Sequence, residues 1–154
     1  MKKIIITLVG ICALGILWFA YYAFSPLFRT VKVDEMSPNV QSDTLDPLNL
    51  AVAQIIGTAG HAASGKVHIV TVDDKKYIRY EDFKTINGPD LYVYLAKDLE
   101  AKEFISLGKL RATEGNVNYE VPEGVDIAEY RYALVWCKQF SVLFNYADIG
   151  ELTK

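Results

Sequence analysis

Residues 81–95, EDFKTINGPDLYVYL, constrain the fold of this chain more than any other stretch. Asn87-Gly88-Pro89-Asp90 joins every turn-forming residue type: Gly for positive φ, Pro for a fixed φ, Asn and Asp for side-chain bonds to the backbone. Past the turn, Leu91, Val93 and Leu95 alternate with Tyr92 and Tyr94. A period of two belongs to an extended strand with one aliphatic and one aromatic-polar face. Such a strand suits a sheet packed on both sides, or one packed on a single side with a tyrosine-lined outer surface.

The same period recurs downstream. Residues 66–72 (KVHIVTV) form a β-branched run, residues 73–75 a polar turn, and residues 76–83 a returning strand. Residues 98–103 have the length of one helical turn, and 107–110 of a short strand or bend. Val117, Tyr119 and Val121 share one face of the next strand, which Pro122 and Gly124 end. YALVWC (132–137) and FSVLFNY (140–146) read as a closing antiparallel pair. Seven short strands at regular spacing predict an all-β domain, an antiparallel β-sandwich or barrel-like body. Residues 57–149 are enough to bury one core without a disulfide.

A single transmembrane helix is expected ahead of that domain. Hydrophobic residues make up 51% of the chain and mean hydropathy is +0.14, much of it owed to residues 4–24. These 21 residues carry no charge and would extend about 30 Å as a helix, enough to cross a bilayer core. A cleaved signal peptide is the alternative. Its apolar core is shorter, and bulky Tyr21, Tyr22 and Phe24 stand where a cleavage site needs small residues. Cys12 does not read as a lipidation site, because Ile11 precedes it and the apolar run continues past it. Residues 1–24 are therefore read as an uncleaved signal-anchor in contact with the lipid bilayer. Lys2 and Lys3 keep the N-terminus cytoplasmic and place the C-terminal domain on the extracytoplasmic side of a single-pass protein. Trp18, Phe19, Tyr21 and Tyr22 would sit at the outer interface.

Residues 25–56 read as an extracytoplasmic linker containing Pro26 and Pro38. Asp46-Pro47 before LNLAVAQII and Gly57 has the punctuation of a short helix, with a strand entering the domain as the competing reading. Without Lys2 and Lys3 the exported part holds 14 of the 16 basic residues against all 19 acidic ones, a net charge of −5. A nucleic-acid partner is therefore excluded from the reading.

Signatures of hydrolytic and nucleotide-dependent enzymes are absent: no phosphate-binding glycine loop, nucleophile elbow, HExxH or CxxC occurs. This points to a module that is not an enzyme in its own right. Metal-capable side chains in the exported part are sparse: His61, His68, Cys137 and Met36. Two His and one Cys fall short of structural zinc, and no His or Met follows Cys137 as a blue-copper ligand loop requires. His61 reads either as a ligand or proton carrier, or as a loop histidine holding backbone in place. His68, alternating with Val67 and Ile69, reads as a sheet-surface residue. Asp90 reads as a turn cap. Cys137 is the one thiol of the exported domain, either a soft ligand or redox group activated beside Lys138, or a small buried hydrophobe beside Trp136.

Three blocks resemble the DM-thirteen domain family, small extracytoplasmic β modules found alone or beside DOMON domains. Phe83-Lys84-Thr85-x-Asn87-Gly88-Pro89-Asp90-Leu91-x-Val93-Tyr94-Leu95 is similar to its central signature. GTAGHAASGKV, 57–67, resembles its opening, with His61 ahead of a Gly that leads into the first long strand. Gly115-Asn116-x-Asn118-Tyr119-Glu120-x-Pro122 and Val135-Trp136-Cys137-x-x-Phe140-x-Val142-x-Phe144 resemble its C-terminal half. The blocks span about residues 57–149. The resemblance implies a redox or electron-transfer role around Cys137, candidate redox and ligand residue, with His61 as second candidate, and with a haem or single metal ion as cofactor. It also implies a redox partner. The residues themselves offer a second reading, a non-catalytic binding or surface-interaction module using Tyr77, Tyr92, Tyr94, Tyr119, Tyr130 and Tyr132, or else those rings fill the core.

Overall fold

The computed structural model describes residues 2–25, 29–38 and 51–153. Its first element is helix α1, Lys2–Phe24. The run Lys2–Tyr22 has mean hydropathy 2.4 and is apolar enough to cross a membrane, a property that a signal sequence shares. Its side chains are apolar on all sides, with Trp18 stacked on Tyr22 one turn later.

Everything after α1 is strand and loop. Nine strands follow: β1 (Lys32–Asp34), β2 (Ala53–Gly57), β3 (Ala63–Val72), β4 (Lys75–Thr85), β5 (Leu91–Ala96), β6 (Phe104–Lys109), β7 (Glu114–Glu120), β8 (Tyr132–Cys137) and β9 (Val142–Asp148). They form one curled sheet, a half-barrel, in the order β1-β7-β4-β3-β2-β9-β8-β5-β6. All neighbours are antiparallel except β1 and β7. The seven strands expected from alternation are all present, so the β-rich, barrel-like expectation holds.

The two additional strands come from the stretch read as linker. The competing strand reading holds over β2, against the helix suggested by Pro47 and Gly57; residues 46–50 lie outside the described residues. Ala53 and Ile55 point into the core while Gln54 and Ile56 do not, and pairing with both β3 and β9 outweighs local helix punctuation. Residues 98–103 form a turn instead of a helical one, with the Asp98 carboxylate accepting from the Glu100 and Lys102 amides.

Local chemistry explains the connections. Asp73 and Asp74 both have positive φ (48° and 65°), the geometry of the two-residue hairpin turn that matches strand twist, and Val72 pairs directly with Lys75. The Asn87–Asp90 turn is a crossover: β4 and β5 lie five places apart in the sheet. The main core fills the concave face with Tyr80, Phe83, Val93, Val117, Tyr119 and Val135. Tyr80 meets Phe83 and Tyr119 edge-on, at 5.0 and 5.8 Å. A smaller cluster covers the opposite face of β5, β8 and β9, built on Tyr94, Ala96 and Leu134 with Tyr92, Tyr132, Trp136 and Tyr146 against it. The strand that opened the sequence argument is therefore packed on both faces.

Candidate functional site

Register places the three signature blocks at one end of the half-barrel. Gly57 pairs with Asn145, Ala63 with Thr85, Glu114 with Lys84, and Cys137 with both Leu91 and Val142. The loops 58–62, 86–90, 110–113 and 138–141 gather there, and the β3–β4 hairpin lies at the opposite end. Segments about 80 residues apart in sequence become neighbours.

Phe144 is the hinge of this end. Asn145 pairs with Val135 and Leu143 with Trp136, so Phe144 is the extra residue of a β-bulge. The bulge turns two consecutive side chains inward: Phe144 and Asn145 are both buried, while Leu143 and Tyr146 pack on the outer cluster. The Asn145 amide donates to Thr85 Oγ1 at 3.0 Å, and its Oδ1 is buried without a partner. The His61 ring stacks on Phe144 with centroids 4.0 Å apart. At Gly88 an added Cβ would lie 2.9 Å from both Phe144 and Leu91, so a side chain there would wedge the two apart.

His61 is held by Thr58. The Thr58 amide donates to the Phe144 carbonyl at 3.1 Å, and the His61 amide donates to the Thr58 carbonyl at 2.9 Å. Thr58 Oγ1 lies 2.7 Å from the Leu143 carbonyl and 3.0 Å from His61 Nδ1. A hydroxyl has one proton, and a carbonyl can only accept it. The network thus assigns the Nδ1–H tautomer to His61, which donates to Thr58 and leaves a lone pair on Nε2.

Cys137 is a free cysteine with 0% exposure, enclosed in the main core. Lys138 does not act on it: its ammonium lies 5.4 Å from the centre of the Tyr92 ring on the outer face, whereas the thiol faces the core. Trp136 also belongs to the outer cluster. His61 and Cys137 share one end of the domain, but His61 is engaged by Thr58 and Phe144. Among the described residues no three or more His, Cys, Asp or Glu side chains gather as metal ligands. A haem or metal ion held by Cys137 and His61 does not fit this donor set.

The other candidates have structural partners. Asp90 Oδ1 lies 3.5 Å from Lys109 Nζ, and its carbonyl accepts from the Lys138 amide. Met36 is exposed, and its carbonyl accepts from Asn118 Nδ2 at 3.0 Å. His68 stands on the outer sheet face, as alternation predicts, yet is only 8% exposed. The expectation of a surface histidine is corrected by its neighbours: Nε2 lies 3.0 Å from Glu81 Oε2, and Nδ1 is buried without a partner.

That histidine belongs to a polar cluster the sequence reading missed. Arg79, 6% exposed, donates from Nε to Glu81 and from Nη1 to Asn118 Oδ1 (2.9 Å) and the Glu35 carbonyl (3.1 Å). The Glu35 carboxylate accepts from both terminal nitrogens of Arg111 and from the Asn118 amide. Burial alone would raise the Glu81 carboxyl, but the Arg79 hydrogen bond and the His68 and Arg79 charges outweigh it and hold Glu81 below the usual carboxylate range. Arg79 and Glu81 flanking buried Tyr80 was the available signal: two charges two residues apart share a strand face. The tyrosines of the binding reading are divided, with Tyr94 and Tyr119 buried and Tyr77, Tyr92, Tyr130 and Tyr132 half-buried.

A family model described as electron transfer DM13 matches residues 55–149. No curated protein and no solved structure matches the chain.

Proposed function

The chain belongs to the electron transfer DM13 family, and on that premise we propose that it is a membrane-anchored extracytoplasmic redox module whose electron-exchanging group is Cys137. The observation that carries the reading is the convergence of the three signature blocks on one end of the half-barrel, where Cys137 lies beneath Leu91 and His61 caps Phe144. In this proposal α1 spans the membrane with Lys2 and Lys3 on the cytoplasmic side. His61 acts as a positioning residue that keeps Phe144 and the Thr58 loop in place and offers its Nε2 lone pair to a proton. The buried sulfur is shielded from small oxidants, so oxidation depends on a redox partner docked at this end. No step runs through a bound metal or haem.

The binding-module reading has less to work with, since none of the six tyrosines is fully exposed; Phe104, 45% exposed and stacked on Tyr94 at 4.2 Å, is its best support.

Protein-film voltammetry of the full chain, with Cys12→Ala removing the second thiol, tests the proposal. A reversible wave lost in Cys137→Val is expected, a substitution close in volume and apolar. A wave that survives moves the electron-exchanging group elsewhere, and no wave in the parent overturns the redox reading.

A further inference from the structure

We propose that the signature end of the domain faces, and touches, the bilayer surface of the membrane that α1 enters; the inference rests on α1 being an anchor. Its first support is where the chain joins the sheet. Residues 29–31 are fastened to the signature end: Asn87 Nδ2 donates to the Arg29 carbonyl at 3.0 Å, the Val31 amide donates to Thr113 Oγ1 at 2.8 Å, and the Val31 carbonyl accepts from the Thr113 and Glu114 amides at 2.9 and 3.1 Å. β1 then runs parallel to β7, away from that end. Phe24 closes α1, and Arg29 is five residues on. At full extension five residues reach about 18 Å, so the signature end cannot lie farther than that from the end of the helix.

A second support is independent of the tether. Charge is divided along the length of the half-barrel. At the signature end, segments 29–31, 58–62, 86–90, 110–113 and 138–141 carry three cations (Arg29, Arg111, Lys138) and one carboxylate, Asp90. At the far end, loops 73–74, 97–103, 121–131 and 149–153 carry nine carboxylates and three cations. β4 alone, eleven residues, is about 35 Å long, several screening lengths at physiological salt. The ends therefore act as separate poles, one net positive and one strongly negative. An anionic leaflet attracts the first and repels the second, in the same sense as the tether.

The tip of the β8–β9 hairpin supplies an apolar foot. Phe140 is 63% exposed in the turn after Lys138, at the positive pole. An exposed aromatic beside a lysine is a pairing suited to the headgroup interface, with the ring among the acyl carbons and the ammonium near the phosphates. If this orientation holds, the redox partner of His61 and Cys137 is confined to the membrane, as a lipid-soluble carrier or an integral protein.

The test uses the full chain with Cys12→Ala and Cys137→Val in vesicles of phosphatidylcholine and phosphatidylglycerol. A fluorophore is placed at Gln139→Cys on the signature end or at Glu123→Cys on the far end, and quenching by headgroup-labelled lipid is measured. The expected result is several-fold stronger quenching at 139 than at 123, falling by half or more when Lys138→Glu and Phe140→Ser are added. Equal quenching at both positions, or stronger at 123, overturns the orientation. Quenching at 139 that ignores the added pair overturns the lipid contact. Chain released from the vesicles by an alkaline carbonate wash overturns the anchor itself, and the inference with it.

Discussion

Gly115→Ala should detach β1 while leaving the rest of the sheet intact. Gly115 has φ +112°, a region that L side chains rarely adopt, and its built Cβ would fall on the carbonyl oxygen of Val33, with the Val33 carbonyl carbon at 3.0 Å. Two responses are open to the variant. If β1 stays docked, the strained backbone costs about 1–3 kcal/mol and the clash adds more. If β1 leaves, the Glu35 amide loses Asn116, the Glu35 carboxylate loses Arg111 and the Asn118 amide, and Arg79 loses the Glu35 carbonyl. Bonds of this kind contribute about 1 kcal/mol each, and more where charged. Freed residues regain about 1 kcal/mol of backbone entropy apiece, which offsets much of the loss. Release is therefore the cheaper route, at a net cost of about 2 kcal/mol, or a fall in Tm of roughly 6–10 °C for a domain of this size. Amide hydrogen exchange checks it residue by residue. The Glu35 amide should lose its protection in the variant while Val117 and Val135, in the core strands, keep theirs. Glu35 protection equal to the parent's would refute the geometry, and loss at all three positions would show that β1 is integral to the core.

Two further outcomes follow from buried groups. Cys137→Ser places a hydroxyl where a fully enclosed thiol faces aliphatic side chains, and should lower the unfolding free energy by about 1–3 kcal/mol in a denaturant titration, whereas Cys137→Val should change it by less than about 1.5 kcal/mol. Glu81, held below its ordinary value of 4.5, binds its proton more weakly in the folded than in the unfolded chain. Its contribution to stability is complete above about pH 4.5 and is lost as pH falls through its lower folded value. Glu81→Gln should flatten thermal stability between pH 5 and 3 relative to the parent; an unchanged slope would assign the acid sensitivity to other carboxylates.

What the sequence made legible was decided by parity. Leu91, Val93 and Leu95, and again Val117, Tyr119 and Val121, had to share a face once the strands were recognised, and all six line the main core. The pairing of β8 with β9 and the Asp73-Asp74 turn were equally local. β1 was not, because three residues with no period become a strand only through a parallel partner 82 positions away. β2 lay behind helix punctuation that pairing on both edges overrides. The two poles of charge were invisible for the same reason, since loops scattered over the chain acquire a common end only through register.

The most instructive error was avoidable. Lys138 follows Cys137 directly, which suggested an ammonium that would activate the thiol. Adjacent residues of a strand point to opposite faces, and Cys137 closes β8. Its sulfur therefore faces the core with Val135 and Ala133, while Lys138 turns outward to Tyr92. Parity alone thus argues that any group acting on this thiol must come from across the sheet, and the residues that register brings opposite Cys137 are Leu91 and Val142. Neither carries charge. A redox role for Cys137 must then be driven by what docks on the signature end, which is why the orientation of that end toward the membrane bears directly on the chemistry.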